Sequence, residues 1–262
     1  MRFIKAHAYG NDFVYMEADL VRGRPLDTLA RELCDRHTGV GADGLIVYDP
    51  GTDGATMQLL NADGSRSEVS GNGVRGLAAI VCRHDERAGT ELTIQTEAGP
   101  KRLIRTGWTG GRQTFRTEMG LPRDLRQVDV EAGGESLTVA VMDFGNPQAV
   151  VLTELPDIKR FHRLGATLER HPMFPERTNV ELASVDAPDR VSILIWERGV
   201  GPTQSSGTGS CAALIAASAF GGARQSADVI APGGTQRVDW EDESVYLTGW
   251  AEIVFEGDWL RE

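Results

Sequence analysis

Two stretches of this chain, residues 74–81 and 211–220, are apolar on nearly every helical face, and each is entered through a polar, glycine-rich turn. Most other apolar residues fall in short runs of strand character bounded by Gly, Pro and Asp. In the first half such runs lie at 1–6, 12–18, 44–48, 56–60, 91–96 and 102–106. The second half repeats the theme at 114–119, 137–143, 149–152, 179–185, 191–196 and several runs beyond Val229. Between the first strands, residues 26–36 set Leu26, Leu29, Ala30 and Leu33 at helical spacing, which predicts one amphipathic helix. A helix that is apolar all round must be enclosed by its own domain. The pattern therefore predicts an α/β (α+β) fold of two pseudo-symmetric domains, each a set of strands wrapped around a central helix. Residues 106–112, with three glycines, are the candidate linker, which predicts domains of 1–109 and 110–249.

The two turns are alike in detail. Ser70-Gly71-Asn72-Gly73 and Ser206-Gly207-Thr208-Gly209 stand 136 positions apart (206 − 70), about half the chain. A helix start carries unpaired N–H groups and a partial positive charge, and glycine lets a ligand approach that backbone closely. Two such starts facing one another would hold a carboxylate between two serine hydroxyls, the outline of a site with one acid/base group on each face of a substrate carbon. Gly71 to Gly76 and Gly207 to Ala212 also match the spacing of the dinucleotide fingerprint. That fingerprint requires an apolar strand immediately before it, and Gly64-Ser65-Arg66-Ser67-Glu68-Val69 is polar. No nicotinamide cofactor is expected.

Charge and composition narrow the classes. With 262 residues, a net charge of −11 and no run of Lys or Arg, the chain offers no clustered basic surface for nucleic acid. The N-terminal residues lack the apolar core of a signal peptide, and no apolar stretch approaches the ~18 residues of a membrane span, so a cytoplasmic protein without a membrane partner is expected. Cys34, Cys82 and Cys211 are widely spaced in apolar or helical contexts and read as buried thiols. The five histidines show no ligand spacing, and no metal is expected. His7 could lie near a site or play a structural part. Asp43 and Asp63 sit in Gly-flanked turns, where a local Asx turn accounts for them.

Polar tetrads recur in both halves: Gly10-Asn11-Asp12-Phe13, Asn61-Ala62-Asp63-Gly64, Gly145-Asn146-Pro147-Gln148, Arg177-Thr178-Asn179-Val180 and Trp196-Glu197-Arg198-Gly199. Amide, carboxylate and guanidinium groups together can hold both the ammonium and the carboxylate of an amino acid. Read in order with Gly39-Val40-Gly41-Ala42-Asp43-Gly44 and Gly201-Pro202-Thr203, these segments resemble the diaminopimelate epimerase family over most of the chain. The resemblance implies a cofactor-independent isomerase of lysine biosynthesis that converts LL- to meso-diaminopimelate, usually as a homodimer, with residues 250–262 returning to the first domain. It also implies that Asn11, Asn61, Asn146, Gln148, Asn179, Glu197 and Arg198 bind the substrate, Arg198 taking its distal carboxylate. The amides of Gly71-Asn72 and Gly207-Thr208 would hold the carboxylate at the reacting carbon.

At three positions the chain departs from the family pattern. The family carries cysteine where this chain has Ser70 and Ser206, and histidine where it has Gln148. An unperturbed thiol titrates near 8.5 and falls further at a helix start, whereas a serine hydroxyl needs a neighbouring base. Ser70 and Ser206 mark the two acid/base positions, and Glu197 is the first candidate for a substitute base, with ammonium binding as its alternative. Three readings stand open: targeted replacement of two cysteines, an isomerase with altered chemistry, and a non-catalytic binder of diaminopimelate-like amino acids.

Overall fold

The computed structural model of the chain describes residues 1–85, 87 and 89–261. It divides into two compact units, Met1–Thr117 with Gly249–Glu262, and Glu118–Thr248. The strands of the first are β1 (Arg2–Ala8), β2 (Asn11–Glu17), β3 (Gly44–Gly51), β4 (Gly54–Asn61), β5 (Arg66–Ser67), β6 (Glu91–Thr96), β7 (Gly99–Thr109) and β8 (Arg112–Gly120), with helices α1 (Leu26–Cys34) and α2 (Gly71–Val81). The second holds β9 (Arg123–Ala132), β10 (Glu135–Asp143), β11 (Pro147–Leu152), β12 (Asn179–Ala187), β13 (Arg190–Glu197), β14 (Gly201–Thr203), β15 (Ser226–Ala231), β16 (Gly234–Trp240) and the start of β17 (Val245–Asp258), whose remainder returns to the first unit, with helices α3 (Ile158–Glu169) and α4 (Gly207–Phe220). The breaks between units fall within β8 and near the start of β17.

The two units share one order of pairing. In the first, β1 and β2 are antiparallel, β2 and β3 parallel, β3 and β4 antiparallel, β4 and β6 parallel, and β6 and β7 antiparallel. In the second, β10, β11, β12, β13, β15 and β16 follow the same alternation. A parallel step needs a crossover, and helices supply it: α1 and α2 in the first unit, α3 and α4 in the second. Register then assigns counterparts. Phe13 pairs with Gly44 as Gln148 pairs with Asn179, so Phe13 corresponds to Gln148 and, two residues along the next strand, Ile46 to Glu181. Leu59 opposes Ile46 as Ile195 opposes Glu181, which makes Asn61 the counterpart of Glu197.

Burial explains why α2, Asn72 and Arg75 apart, and α4 are apolar on nearly every face. Every residue from Asn72 to Ile80 is buried, and α2 packs on β1, β2, β4, β6 and β7. Cys211 to Ala217 of α4 are fully buried, with strands β11, β12, β13, β15 and β16 around them. Fully burying one side chain such as Leu77 or Leu214 contributes roughly 1.5–3 kcal/mol. The opposite sheet faces are covered by the amphipathic helices, α1 through Leu29, Ala30 and Leu33, and α3 through Phe161, Leu164 and Leu168. All three cysteines are buried thiols outside any disulfide.

Three local expectations change. The first amphipathic helix stops at Cys34 because Asp35 Oδ1 accepts hydrogen bonds from the His37 and Thr38 amides, a turn that competes with another helical residue. The glycine-rich segment 106–112 is not a linker: it belongs to the β7–β8 hairpin, where Gly110 and Gly111 take the positive φ of the turn (59° and 88°). Helix α3 was not expected, although Phe161, Leu164, Gly165 and Leu168 repeat at helical spacing. Its start is marked by Asp157, whose Oδ1 caps the Lys159 and Arg160 amides. Among the described residues no helix is long and apolar enough to cross a membrane.

Candidate functional site

Each central helix begins with a serine in extended backbone whose side chain caps it. Ser70 Oγ accepts a hydrogen bond from Gly73 N at 3.1 Å, and Ser206 Oγ accepts one from Gly209 N at 3.2 Å. This satisfies one orphan amide of each helix and fixes both hydroxyl oxygens at the helix mouths. The buried Tyr15 hydroxyl adds a bond to Gly73 O at 3.0 Å.

In the first unit an ordered polar chain runs from the helix start into the sheet. Asn72, only 3% exposed, donates from Nδ2 to Asn11 Oδ1 at 3.3 Å and accepts from the buried Arg75 guanidinium at 3.1 Å. Asn11 Nδ2 in turn donates to Asp43 Oδ2 at 2.7 Å, and the same oxygen accepts Asp12 N. Arg36 bridges Asp43 at 2.9 Å and Asp12 at 2.7 Å, and Lys5 Nζ lies 2.6 Å from Asp12. Burial opposes charge on Asp12, yet the Arg36 and Lys5 partners outweigh it and hold its carboxyl below the usual range. Asp43 is thus not a local turn residue: it reaches from just before β3 to Asn11 and fixes that amide. Asp63 does form a local turn, accepting from Ser65 N and Oγ. Asn61 donates to Ser65 Oγ at 3.0 Å, on the same turn. His7 is engaged structurally, its ring edge-on to Trp250 at 5.3 Å and its Nδ1 accepting from Gly10 N.

In the second unit the expected residues form two linked pairs. Gln148, fully buried, donates from Nε2 to Asn146 Oδ1 at 2.6 Å. Asn179 donates to Pro147 O at 3.3 Å and accepts from Arg198 N at 2.9 Å, which tethers the Glu197-Arg198 turn to the start of β11. Arg198 donates to Glu176 O at 3.2 Å and has no carboxylate within ion-pair distance among the described residues. Glu169, which the sequence reading passed over, holds the same turn from below, accepting from Trp196 Nε1 and Gly199 N, each at 2.9 Å. Ser210 lies 2.8 Å from both Ser206 O and the Gln236 side chain.

Sequence reasoning also missed Glu181. Its side chain comes from β12 and has no exposed surface. Its Oε1 lies 2.5 Å from the point a Cβ on Gly209 would occupy, and Ser206 Cβ lies 3.1 Å from that point. Burial first, and the nearby Glu197 charge second, push its carboxyl well above the usual range. The signal available in the sequence was a lone Glu inside the apolar run Val180-Glu181-Leu182-Ala183.

A family model described as diaminopimelate epimerase matches residues 3–124 and 140–254. The diaminopimelate epimerase of Desulforudis audaxviator is 39% identical over 283 aligned positions, covering 100% of both chains. That of Desulfitobacterium hafniense is 38% identical, covering 100% of this chain and 99% of the relative. Among solved structures, a predicted epimerase from Pseudomonas aeruginosa superposes with a TM-score of 0.78 at 14% identity, covering 100% of this chain and 99% of the other, a likeness of fold. A family model over most of the chain and full-length relatives at these identities show that it belongs to the diaminopimelate epimerase family, isomerases that act on amino acids.

Proposed function

We propose that the chain epimerises diaminopimelate between its LL and meso forms without a cofactor, by proton transfer at the α-carbon. Ser70 and Ser206 stand at the two acid/base positions. The observation that carries this reading is the twinning of the helix starts: each offers glycine-lined amides for a carboxylate and a capping hydroxyl held at the same place. Asn11 and Asn72 in the first unit, and Asn146, Gln148, Asn179 and Glu197 in the second, supply donors and acceptors for the ammonium and carboxylate. Arg198, with no acidic partner among the described residues, suits the distal carboxylate. Residue types and register support these roles, and the names of the relatives support the substrate. A cytoplasmic homodimer accords with the same reading.

Replacing thiol by hydroxyl at both positions removes groups that titrate near neutrality. General acid–base catalysis contributes roughly 10²–10⁴-fold per group, so slow turnover is expected. The test is loss of the α-proton signal of LL-diaminopimelate in deuterium oxide, followed by NMR. Exchange by the wild type, rising at least about 100-fold in the Ser70→Cys, Ser206→Cys double variant, supports the proposal. Binding without exchange in either protein refutes the catalytic reading and favours a second one, a non-catalytic binder. Gln148, which can hold no titrating proton where the family has histidine, is the observation that keeps this second reading.

A further inference from the structure

Beneath Ser70 the parallel register places Phe13 and Ile46, and beneath Ser206 it places Gln148 and Glu181 at the same two positions. The contacts agree: a Cβ on Gly73 would meet Ile46 Cδ1 at 2.7 Å, and one on Gly209 would meet Glu181 Oε1 at 2.5 Å. The carboxyl oxygen and Ser206 Cβ both crowd the point where a Cβ on Gly209 would stand, and a residue without Cβ leaves room for both. Ser206 Oγ acts as acceptor toward Gly209 N, which leaves its own proton available to donate. An ionised carboxylate at a site without solvent access is strongly disfavoured. The groups on the neighbouring strands and helix do not reverse this. Glu197 at the end of β13 is a like charge, β11 carries no titratable side chain, and the one titratable residue of α4 is Cys211.

We propose that the Glu181 carboxyl is the proton-holding partner of Ser206, a positioning residue that acts through the serine without touching substrate, and that Ser70 has no such partner among the described residues. This rests on the two-base reading above. When the substrate carbon is protonated, the Ser206 O–H bond breaks as the C–H bond forms. The Glu181 O–H bond breaks in turn to restore the hydroxyl, leaving a carboxylate. In the reverse direction each transfer runs backward: the Ser206 proton passes to the Glu181 carboxylate as the serine oxygen takes the proton from carbon. The serine thus needs neither a free alkoxide nor a thiol's acidity.

The test begins without substrate. Infrared difference spectra at neutral pH, wild type against Glu181→Gln, are expected to show the C=O band of a protonated carboxyl, and Glu181→Asp is expected to keep one. That band is expected to shift in Ser206→Ala and to stay in place in Ser70→Ala. Absence of the band, or a band indifferent to Ser206, overturns the proposal. With diaminopimelate in deuterium oxide, Glu181→Gln is expected to lower α-proton exchange by about 100-fold or more while calorimetric binding changes only a few-fold. Unchanged exchange overturns the relay. Failure of the wild type to bind diaminopimelate counts against the substrate assignment alone, because the infrared result stands on its own.

Discussion

Replacing Gly209 by alanine sets two physical effects against each other at one atom. Alanine at a helical position is worth about 0.5–1 kcal/mol over glycine, and less in the first turn, where Gly209 sits. The added methyl, however, would lie 2.5 Å from Glu181 Oε1 and 3.1 Å from Ser206 Cβ, against an ordinary contact of 3.4 Å or more. Neither neighbour can step aside cheaply: the carboxyl is enclosed in the sheet, and Ser206 is held by its cap bond. Overpacking of this kind costs about 1–3 kcal/mol, so Gly209→Ala is expected to destabilise by a net ~0.5–2 kcal/mol. In Glu181→Ala the carboxyl is gone, and the same methyl has room. The double-mutant cycle should therefore show a favourable coupling of about 1 kcal/mol or more. Midpoints of urea unfolding for the four proteins measure it. Gly73→Ala serves as the comparison, because its methyl would meet the apolar Ile46 Cδ1 at 2.7 Å and no carboxyl. If Gly209→Ala raises the midpoint, or the cycle closes with no coupling, the placement of Glu181 against the α4 start is wrong.

Removing either cap hydroxyl, in Ser70→Ala or Ser206→Ala, should cost about 0.5–2 kcal/mol in chemical denaturation, and glycine at the same position only a few tenths. Two buried glutamates should respond to pH in opposite senses. Burial opposes charge on Glu169, but the Trp196 and Gly199 N–H donors and the nearby Arg170 and Arg177 outweigh it and hold its carboxyl below the ordinary range. Its contribution is therefore full above the unfolded value near 4.3 and lost as pH falls through the folded one, and Glu169→Gln should flatten the loss of stability on acidification. Glu181 is shifted the other way, so its stabilising share is full below about 4.3 and fades as pH rises. Glu181→Gln should then unfold at higher denaturant than wild type at pH 8, and a lower midpoint there would refute a neutral carboxyl. Finally, Asp43→Ala should loosen Asn11 and weaken diaminopimelate binding in calorimetry by about tenfold or more, the low end of the roughly 1.5–3 kcal/mol of a charge-assisted hydrogen bond.

What was legible in the sequence was whatever a local pattern carries. The two helices declared themselves because enclosure on all sides leaves no polar face, and their starts because capping needs serine three residues before an amide. The β7–β8 hairpin was misread because glycines in a tight turn and glycines in a linker have the same composition; only the pairing of Thr109 with Arg112 distinguishes them. Helix α3 was legible in principle from Phe161, Leu164 and Leu168. The Asp43–Asn11 bond was not, since the two residues lie 32 positions apart and meet only through the parallel register of β2 and β3.

The same limit hides the difference between the halves. Matching turns at 70 and 206 make the units read as twins, and for the backbone they are: strand order, crossover helices and caps repeat. Chemistry diverges one layer below, in side chains that strand pairing brings under each helix. Phe13 and Ile46 give the α2 start an apolar floor, whereas Gln148 and Glu181 give the α4 start a polar one that can store a proton. An apolar floor costs little to fold and can hold no charge. A buried carboxyl costs stability at neutral pH, and nothing in the packing of α4 demands it, because Ile46 fills the equivalent space in the first unit. A group whose presence lowers stability where a hydrophobic side chain would fit is better explained by proton transfer at Ser206 than by architecture.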